Sequence, residues 1–179
     1  MGSCGDSLPP PLGYVLTLRS ASRSILTTSP GISILRIVRE NPISIKVNFG
    51  GPQGRVIRRN YLAMKKTDSA GEQETESSML KGLNAKTLSY TFEHPNGLLM
   101  STQFSQPALV LMEMAEFENL KARGVFQSCT PFAGHSLGEY AALGACTSTL
   151  SFEDLLDLVF YRGVKMNSAV KRDGQGRTD

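Results

Sequence analysis

Apolar and polar positions change rhythm several times along this chain, and each rhythm predicts an element. Ile32, Leu35 and Val38 recur at helical spacing. Asn41-Pro42 ends that segment, because the residue before a proline is pushed out of the helical region. Ile43, Ile45, Val47 and Phe49 then alternate with Ser44, Lys46 and Asn48, the two-residue period of a strand. Gly50-Gly51 stops it, and a helix is expected over roughly 54–64. Residues 67–78 are polar, rich in Glu, Ser and Thr, and predict an exposed loop. Leu88, Tyr90 and Phe92 alternate as a second strand that stops near Pro95-Asn96-Gly97. A helix is expected from Ser105-Gln106-Pro107, a proline being tolerated in the first turn. It runs through Leu109, Met112, Phe117 and Leu120 to Gly124. Phe132-Ala133 predicts a short buried strand and Ser136 the start of another helix. Ser151-Phe152-Glu153-Asp154 has the form of a capping box with Asp in the last place, opening a final helix to about Val170. Residues 1–30, with Pro9-Pro10-Pro11 and scattered Ser, Thr and Gly, predict a poorly ordered leader, and the tail from Lys171 is polar.

Composition narrows the partners. With 179 residues, 40% of them hydrophobic and 20% charged, the chain is long enough for one ordinary domain with a core. The net charge of +3 is small and its basic residues are scattered, with only Arg58-Arg59 and Lys65-Lys66 adjacent. This gives no argument for nucleic acid or an anionic membrane. No apolar run approaches the roughly 20 residues of a membrane-spanning helix. A basic segment followed by an apolar one is missing from the N-terminus, so a cytoplasmic location is expected. Cys4, Cys129 and Cys146 are odd in number and lack metal-type spacing, which suggests a reducing compartment, no disulfide framework and no metal site.

The chemistry concentrates at Gly134-His135-Ser136-Leu137-Gly138, which fits Gly-x-Ser-x-Gly, a nucleophile elbow. A sharp strand-to-helix turn holds the serine hydroxyl in the open, and Gly134 and Gly138 keep the two flanking segments from clashing. At a helix N-terminus, the amide of Leu137 and the helix dipole can stabilise a developing oxyanion. His135 is next to the serine, but neighbouring side chains around a tight turn diverge, so it is expected to pack beside the turn rather than act as base. His94, the one other histidine, sits by a Pro-Asn-Gly turn and is expected at the surface. In the last helix Phe152, Leu155, Val159 and Met166 form an apolar stripe, and Arg162 falls on it. An inward arginine needs an anionic partner. Two readings stay open: a structural ion pair or a side chain bent to solvent, and a grip on a substrate carboxylate through two parallel hydrogen bonds.

Gly-His-Ser-Leu-Gly-Glu-Tyr followed by Val-Phe-Tyr-Arg-Gly-Val-Lys-Met resembles the malonyl/acyl-CoA:acyl-carrier-protein transacylase family. More narrowly, residues 97–109, Phe49-Gly50-Gly51 and Ile57-Arg58-Arg59-Asn60-Tyr61 resemble the malonyl/palmitoyl transferase domain of fungal fatty acid synthase β subunits. The likeness covers about residues 31–179, leaving 1–30 as an unrelated leader. It implies an α/β fold, with a hydrolase-like core around Ser136 and a smaller ferredoxin-like α+β insertion, each only partly present. It implies that Ser136 carries the acyl group as an ester, that the Leu137 amide is an oxyanion donor, and that Arg162 pairs with the malonyl carboxylate. Gln106, in the family's Gln-Pro-Ala motif, lines the site on this reading; from the residues alone it serves equally well as a helix-start cap. The resemblance further implies malonyl-CoA or acyl-CoA and the phosphopantetheine arm of an acyl carrier protein domain as substrates. A fatty acid synthase α subunit is implied as partner, with no bound metal or redox cofactor.

Two family features are missing from the sequence: a glutamine-containing Gly-x-Gly-type oxyanion loop near the start, and a base histidine downstream of the arginine helix. The expectation is a truncated acyltransferase, weakly active or inactive alone, with exposed apolar surface and an unpaired strand edge. A serine esterase of α/β-hydrolase type and a non-catalytic remnant of a synthase are the competing readings.

Overall fold

The computed structural model describes residues 31–70, 73–126, 130–146 and 150–169. The expected leader, the polar tail, Cys4 and Cys129 lie outside them.

Helix α1 (Ile34–Glu40) starts where the Ser33 hydroxyl accepts the amide of Arg36 and ends at Asn41, which is left-handed at φ 38°. Its buried face is Ile34 and Ile37, whereas Val38 is exposed. The expected stripe from Ile32 is offset because Ile32, itself buried, precedes the helix, and counting turns from it selects the wrong face. Strand β1 (Ser44–Asn48) follows, then α2 (Gly51–Ala63), which begins earlier than expected because Pro52 serves its first turn. Strand β4 (Ser89–Glu93) pairs antiparallel with β1, Ile45 facing Phe92 and Val47 facing Tyr90. Val47, Phe49 and Phe92 turn inward, while Ile43 and Leu88, just beyond the strand ends, are exposed.

The loop expected over 67–78 is instead a hairpin of β2 (Lys65–Ala70) and β3 (Gln73–Ser78), in register from Lys65↔Ser78 to Ala70↔Gln73. Its segments lack an apolar face, so hydrophobic alternation cannot reveal them. The backbone ladder pairs their amides without needing one. The strand expected at Phe132-Ala133 does not form, and Ala133 is exposed. Phe132 instead packs edge-on to Phe117 at 5.4 Å and beside Phe126 at 5.6 Å. Among the described residues no strand lies alongside to pair its backbone, and an unpaired segment gains nothing from being extended.

Helix α3 (Thr102–Ala122) begins three residues before the expected Ser105, so Pro107 is inside it. Ser101 carries the start, its carbonyl accepting the amides of Phe104 and Ser105. The missing proline amide costs one hydrogen bond, borne by Gln103 near a free helix end. The inward face is Phe104, Val110, Leu111, Met114 and Ala115 rather than the expected Leu109 and Met112, both exposed. Gly124, at φ 68°, ends the helix region as expected. After α4 (Leu137–Cys146), α5 (Phe152–Ala169) starts at a true capping pair: Ser151 Oγ accepts the Asp154 amide at 3.0 Å and donates to its carboxylate at 2.6 Å.

The core gathers α1, α2, the β1–β4 sheet, α3 and α5 around Tyr61, which is fully buried. Its ring meets Phe49 at 5.9 Å, Phe92 at 6.1 Å and Phe160 at 6.4 Å, edge-on to the first two and stacked on the third. Burial, and secondarily the charges of Tyr161, Asp157 and Tyr90, push the Tyr61 phenol well above its usual range. An unfolded tyrosine ionises near pH ~10. Its raised folded value therefore contributes stability that is complete below that pH and lost as pH climbs above it. Tyr61→Phe is expected to flatten the fall of the urea midpoint above pH ~10. An unchanged alkaline slope would show that another group carries it.

Helix α4 buries none of its residues although it is rich in Leu and Ala, and a hollow of about 220 Å³ separates Ala141 and Ala145 from Met114, Phe117 and Phe132. Among the described residues no helix is long and apolar enough to cross a membrane, and none of them form a three-residue His, Cys, Asp or Glu cluster suited to a metal.

Candidate acyl-transfer site

Three elements converge on Ser136. The residue occupies the N-cap position of α4 with φ 56°, one of two non-glycine residues at positive φ among those described. That conformation costs an L-residue roughly 1–2 kcal/mol. It is held by its surroundings: the amide of Ser136 donates to Glu139 Oε1 at 3.0 Å, and the amide of Gly138 donates to the His135 carbonyl at 3.0 Å. This is the reach-back half of a capping box, in which the third helical residue satisfies the amide of the cap. The cap hydroxyl, ordinarily the other half, is left for another partner.

Gly134 is needed sterically. A Cβ on it would lie 2.1 Å from the carbonyl carbon and oxygen of Gly138. A Cβ on Gly138 would meet nothing within 4 Å, so the expected steric demand falls on the first glycine alone. Gly134→Ala is expected to force the turn open and cost about 3 kcal/mol, read as a lower urea midpoint; a cost below ~0.5 kcal/mol would show that the turn yields freely.

The hydroxyl partner is Arg162 on α5. Its Nη2 donates to Ser136 Oγ at 2.8 Å and its Nη1 to Gln106 Oε1 at 2.6 Å. The guanidinium carbon stands 5.2 Å from the centre of the Tyr140 ring. Arg162 lies on the flank of α5, beside the buried row of Leu155, Val159 and Phe160 rather than within it, and Met166, one turn on, is partly exposed. That flank faces α3 and α4. No carboxylate lies within ion-pair distance of Arg162 among the described residues. Among the described residues Arg162 is therefore held by neutral partners, and its side chain turns toward them rather than out to solvent.

Gln106 is buried on the second turn of α3, not at its cap, and its Nε2 contacts Met166 Sδ at 3.2 Å. The early start of α3 decides this placement. Close approach of the helices completes it: a Cβ on Gly163 would lie 2.5 Å from Gln103 Cα, so α5 crosses the start of α3 almost backbone to backbone.

The histidines stand apart from this cluster. His135 is exposed and holds the turn only through its carbonyl, while His94 Nδ1 accepts the Asn96 amide at 3.3 Å in the turn after β4. Neither hydrogen-bonds Ser136. Leu137 is the first residue of α4, where amides lack intrahelical acceptors.

The structure thus brings Ser136, Leu137, Arg162 and Gln106 together. Sequence reasoning took Glu139 only as part of the motif around Ser136 and gave Tyr140 and Met166 no place in the site. Tyr140 is one helical turn after Ser136 on the same face, and that spacing was the available signal. Met166 was absorbed into an apolar stripe from which its only distinguishing mark, one turn beyond Arg162, was legible but unused.

Comparison with known proteins gives these residues a lineage. A family model described as the acyl transferase domain matches residues 18–179. The chain is 56% identical over 149 residues to the fatty acid synthase beta subunit hexB of Dothistroma septosporum, covering 83% of this chain and 8% of that protein. It is 56% identical over 149 residues to the beta subunit stcK of Emericella nidulans, covering 83% of this chain and 7% of that protein. Against the fatty acid synthase subunit beta of Saccharomyces cerevisiae it is 49% identical over 150 residues, again 83% of this chain and 7% of the relative. The chain therefore spans less than a tenth of the length of the curated relatives it matches. It belongs to the acyl transferase domain family and is a homologue of one segment of the fungal fatty acid synthase beta subunits.

Proposed function

We propose that these residues form the malonyl-loading part of a malonyl/palmitoyl transferase, acting through an acyl-serine. The single observation that carries this reading is the Arg162 guanidinium, bonded to Ser136 Oγ and Gln106 Oε1 with no carboxylate beside it among the described residues. A buried or half-buried cation with only neutral partners is poised for an anion. An acyl group bearing its own carboxylate supplies one, placed beside the hydroxyl that attacks its thioester.

In the first step Ser136 Oγ attacks the thioester carbonyl of malonyl-CoA, its proton passes to a base, and the tetrahedral oxyanion forms near the Leu137 amide at the N-terminus of α4. The carbon–sulfur bond breaks and CoA leaves as the thiol. In the second step the thiol of a phosphopantetheine arm on an acyl carrier domain attacks the serine ester and restores the hydroxyl. This chemistry needs no metal or redox group. The base is assigned to a histidine of the longer β-subunit polypeptide, because neither histidine of this chain contacts the serine. The core around Ser136 is read as hydrolase-like and the β1–β4 region as part of a smaller α+β insertion. Carrier protein, α subunit and a cytoplasmic setting belong to the same reading.

The test is covalent. A full-length β subunit carrying residues 31–179 of this chain in its matching segment is incubated with malonyl-CoA and examined by intact-mass spectrometry. A malonyl ester on Ser136 that disappears in Ser136→Ala is expected. A persistent label in that variant overturns the assignment. The isolated chain, without the base, is expected to acylate slower by a factor on the order of 10⁶.

A further inference from the structure

Tyr140 presents its ring to the guanidinium of Arg162, with the guanidinium carbon 5.2 Å from the ring centre. We infer that Tyr140 is a positioning residue for Arg162 and thereby sets the preference for acyl groups that carry a carboxylate; the inference rests on the carboxylate-binding reading of Arg162 above.

The argument starts from what an arginine needs to be selective. Its side chain has several rotatable bonds, and an unrestrained guanidinium loses much of its affinity to the entropy of being fixed. Two hydrogen bonds here fix two of its nitrogens: Nη1 on Gln106 Oε1 and Nη2 on Ser136 Oγ. These hold the group at points in its plane, while the ring of Tyr140 lies against it as a third restraint. An aromatic ring also attracts the cation without competing for it. Its quadrupole stabilises the charge but offers no carboxylate that an incoming anion would have to displace. A Glu or Asp in the same place would hold Arg162 more strongly and cancel its use.

Tyr140 is placed for this by the elbow itself. It follows Ser136 by four residues on α4, so the nucleophile and the ring share one face of the helix. Glu139, the residue before Tyr140, turns back to the amide of Ser136. The turn that exposes the hydroxyl therefore also sets the ring, and both meet Arg162 arriving from α5.

The readout is a ratio. Binding of malonyl-CoA and of acetyl-CoA to the 179-residue chain is measured by titration calorimetry, which requires no base and no turnover, with circular dichroism confirming the fold. Tyr140→Leu, which removes the ring and keeps an apolar side chain, is expected to lower the malonyl-to-acetyl affinity ratio about 3- to 30-fold. Tyr140→Phe keeps the ring and is expected to hold the ratio within twofold, a rescue that a hydroxyl-based role would not show. Equal loss for both ligands in Tyr140→Leu, or a Phe variant as poor as the Leu variant, overturns the proposal. Arg162→Ala separates the two layers. If it leaves the ratio unchanged, or the wild-type chain shows no malonyl preference, the carboxylate reading falls and this one with it. If it collapses the ratio while Tyr140→Leu does not, the positioning role alone falls. Should Tyr140→Leu fail to fold, Tyr140→Met is read in its place.

Discussion

Arg162→Ala is expected to reduce malonyl transfer about 10²- to 10⁴-fold while acetyl transfer changes less than about threefold. The magnitude follows from the two hydrogen bonds the guanidinium can offer a carboxylate. A hydrogen bond to an ionised group is worth roughly 1.5–3 kcal/mol, and every 1.4 kcal/mol is a factor of ten. Selectivity follows because a neutral acetyl group has no carboxylate to lose a partner. Arg162→Lys keeps the charge but not the fork, and is expected to recover roughly one order of magnitude. The variant also leaves Gln106 Oε1, now bonded at 2.6 Å, without its donor. A stability loss of about 1–2 kcal/mol is therefore expected beside the kinetic effect. Rates of transfer from each CoA ester to carrier protein, measured in the β subunit carrying this segment, decide the matter. Equal loss of both activities, or wild-type rates for both, would remove the carboxylate role.

Gly163→Ala is expected to damage the site from a distance. Two effects oppose each other. Alanine in a helix interior is favoured over glycine by about 1 kcal/mol. Against that, its Cβ would stand 2.5 Å from Gln103 Cα and 2.7 Å from the Thr102 carbonyl oxygen. These obstacles are backbone atoms, which cannot rotate aside, so the overpacking cost of roughly 1–3 kcal/mol prevails. The helices must separate, carrying Arg162 away from Gln106. A displacement near 1 Å in a catalytic arrangement costs on the order of 10²-fold. The expected outcome is a modestly lower melting temperature with a disproportionate loss of malonyl transfer. A variant as active as wild type would show that the helix crossing does not set the site.

Both predictions depend on residues the sequence placed unevenly. Ser136 was legible as a candidate nucleophile because its turn has a chemical requirement written in adjacent residues: Gly134 two before Ser136, with a helix-forming run behind it. Arg162 was legible as an anomaly, a charge next to an apolar row. What could not be read was their meeting. Gln106 was ambiguous because local rules place a proline at a helix start, whereas α3 begins at Thr102 and carries Pro107 inside. Packing of Phe104 and Val110 against the aromatic core outweighs one lost hydrogen bond. The faces of α1 and α3 were misassigned for a related reason: apolar residues such as Val38, Leu109 and Met112 stand outward, and periodicity treats every apolar residue as buried. The β2–β3 hairpin was invisible because backbone pairing, rather than hydrophobic burial, builds its ladder. The strand at Phe132-Ala133 failed in the opposite direction, since apolar character cannot supply a neighbouring strand.

Helix α4 follows directly on the candidate nucleophile Ser136 and yet buries none of its residues, while α3 and α5 beneath it close over the core. Its amides are therefore guarded by little more than their own helical hydrogen bonds. In native-state hydrogen exchange the α4 amides should trade with solvent through local opening, ahead of those at Val110, Val159 and Phe160, which wait for global unfolding. The serine's strained geometry is thus mounted on the element that opens most readily, and a bound acyl group bridging Ser136 to Arg162 should slow exchange in α4 more than anywhere else in the chain.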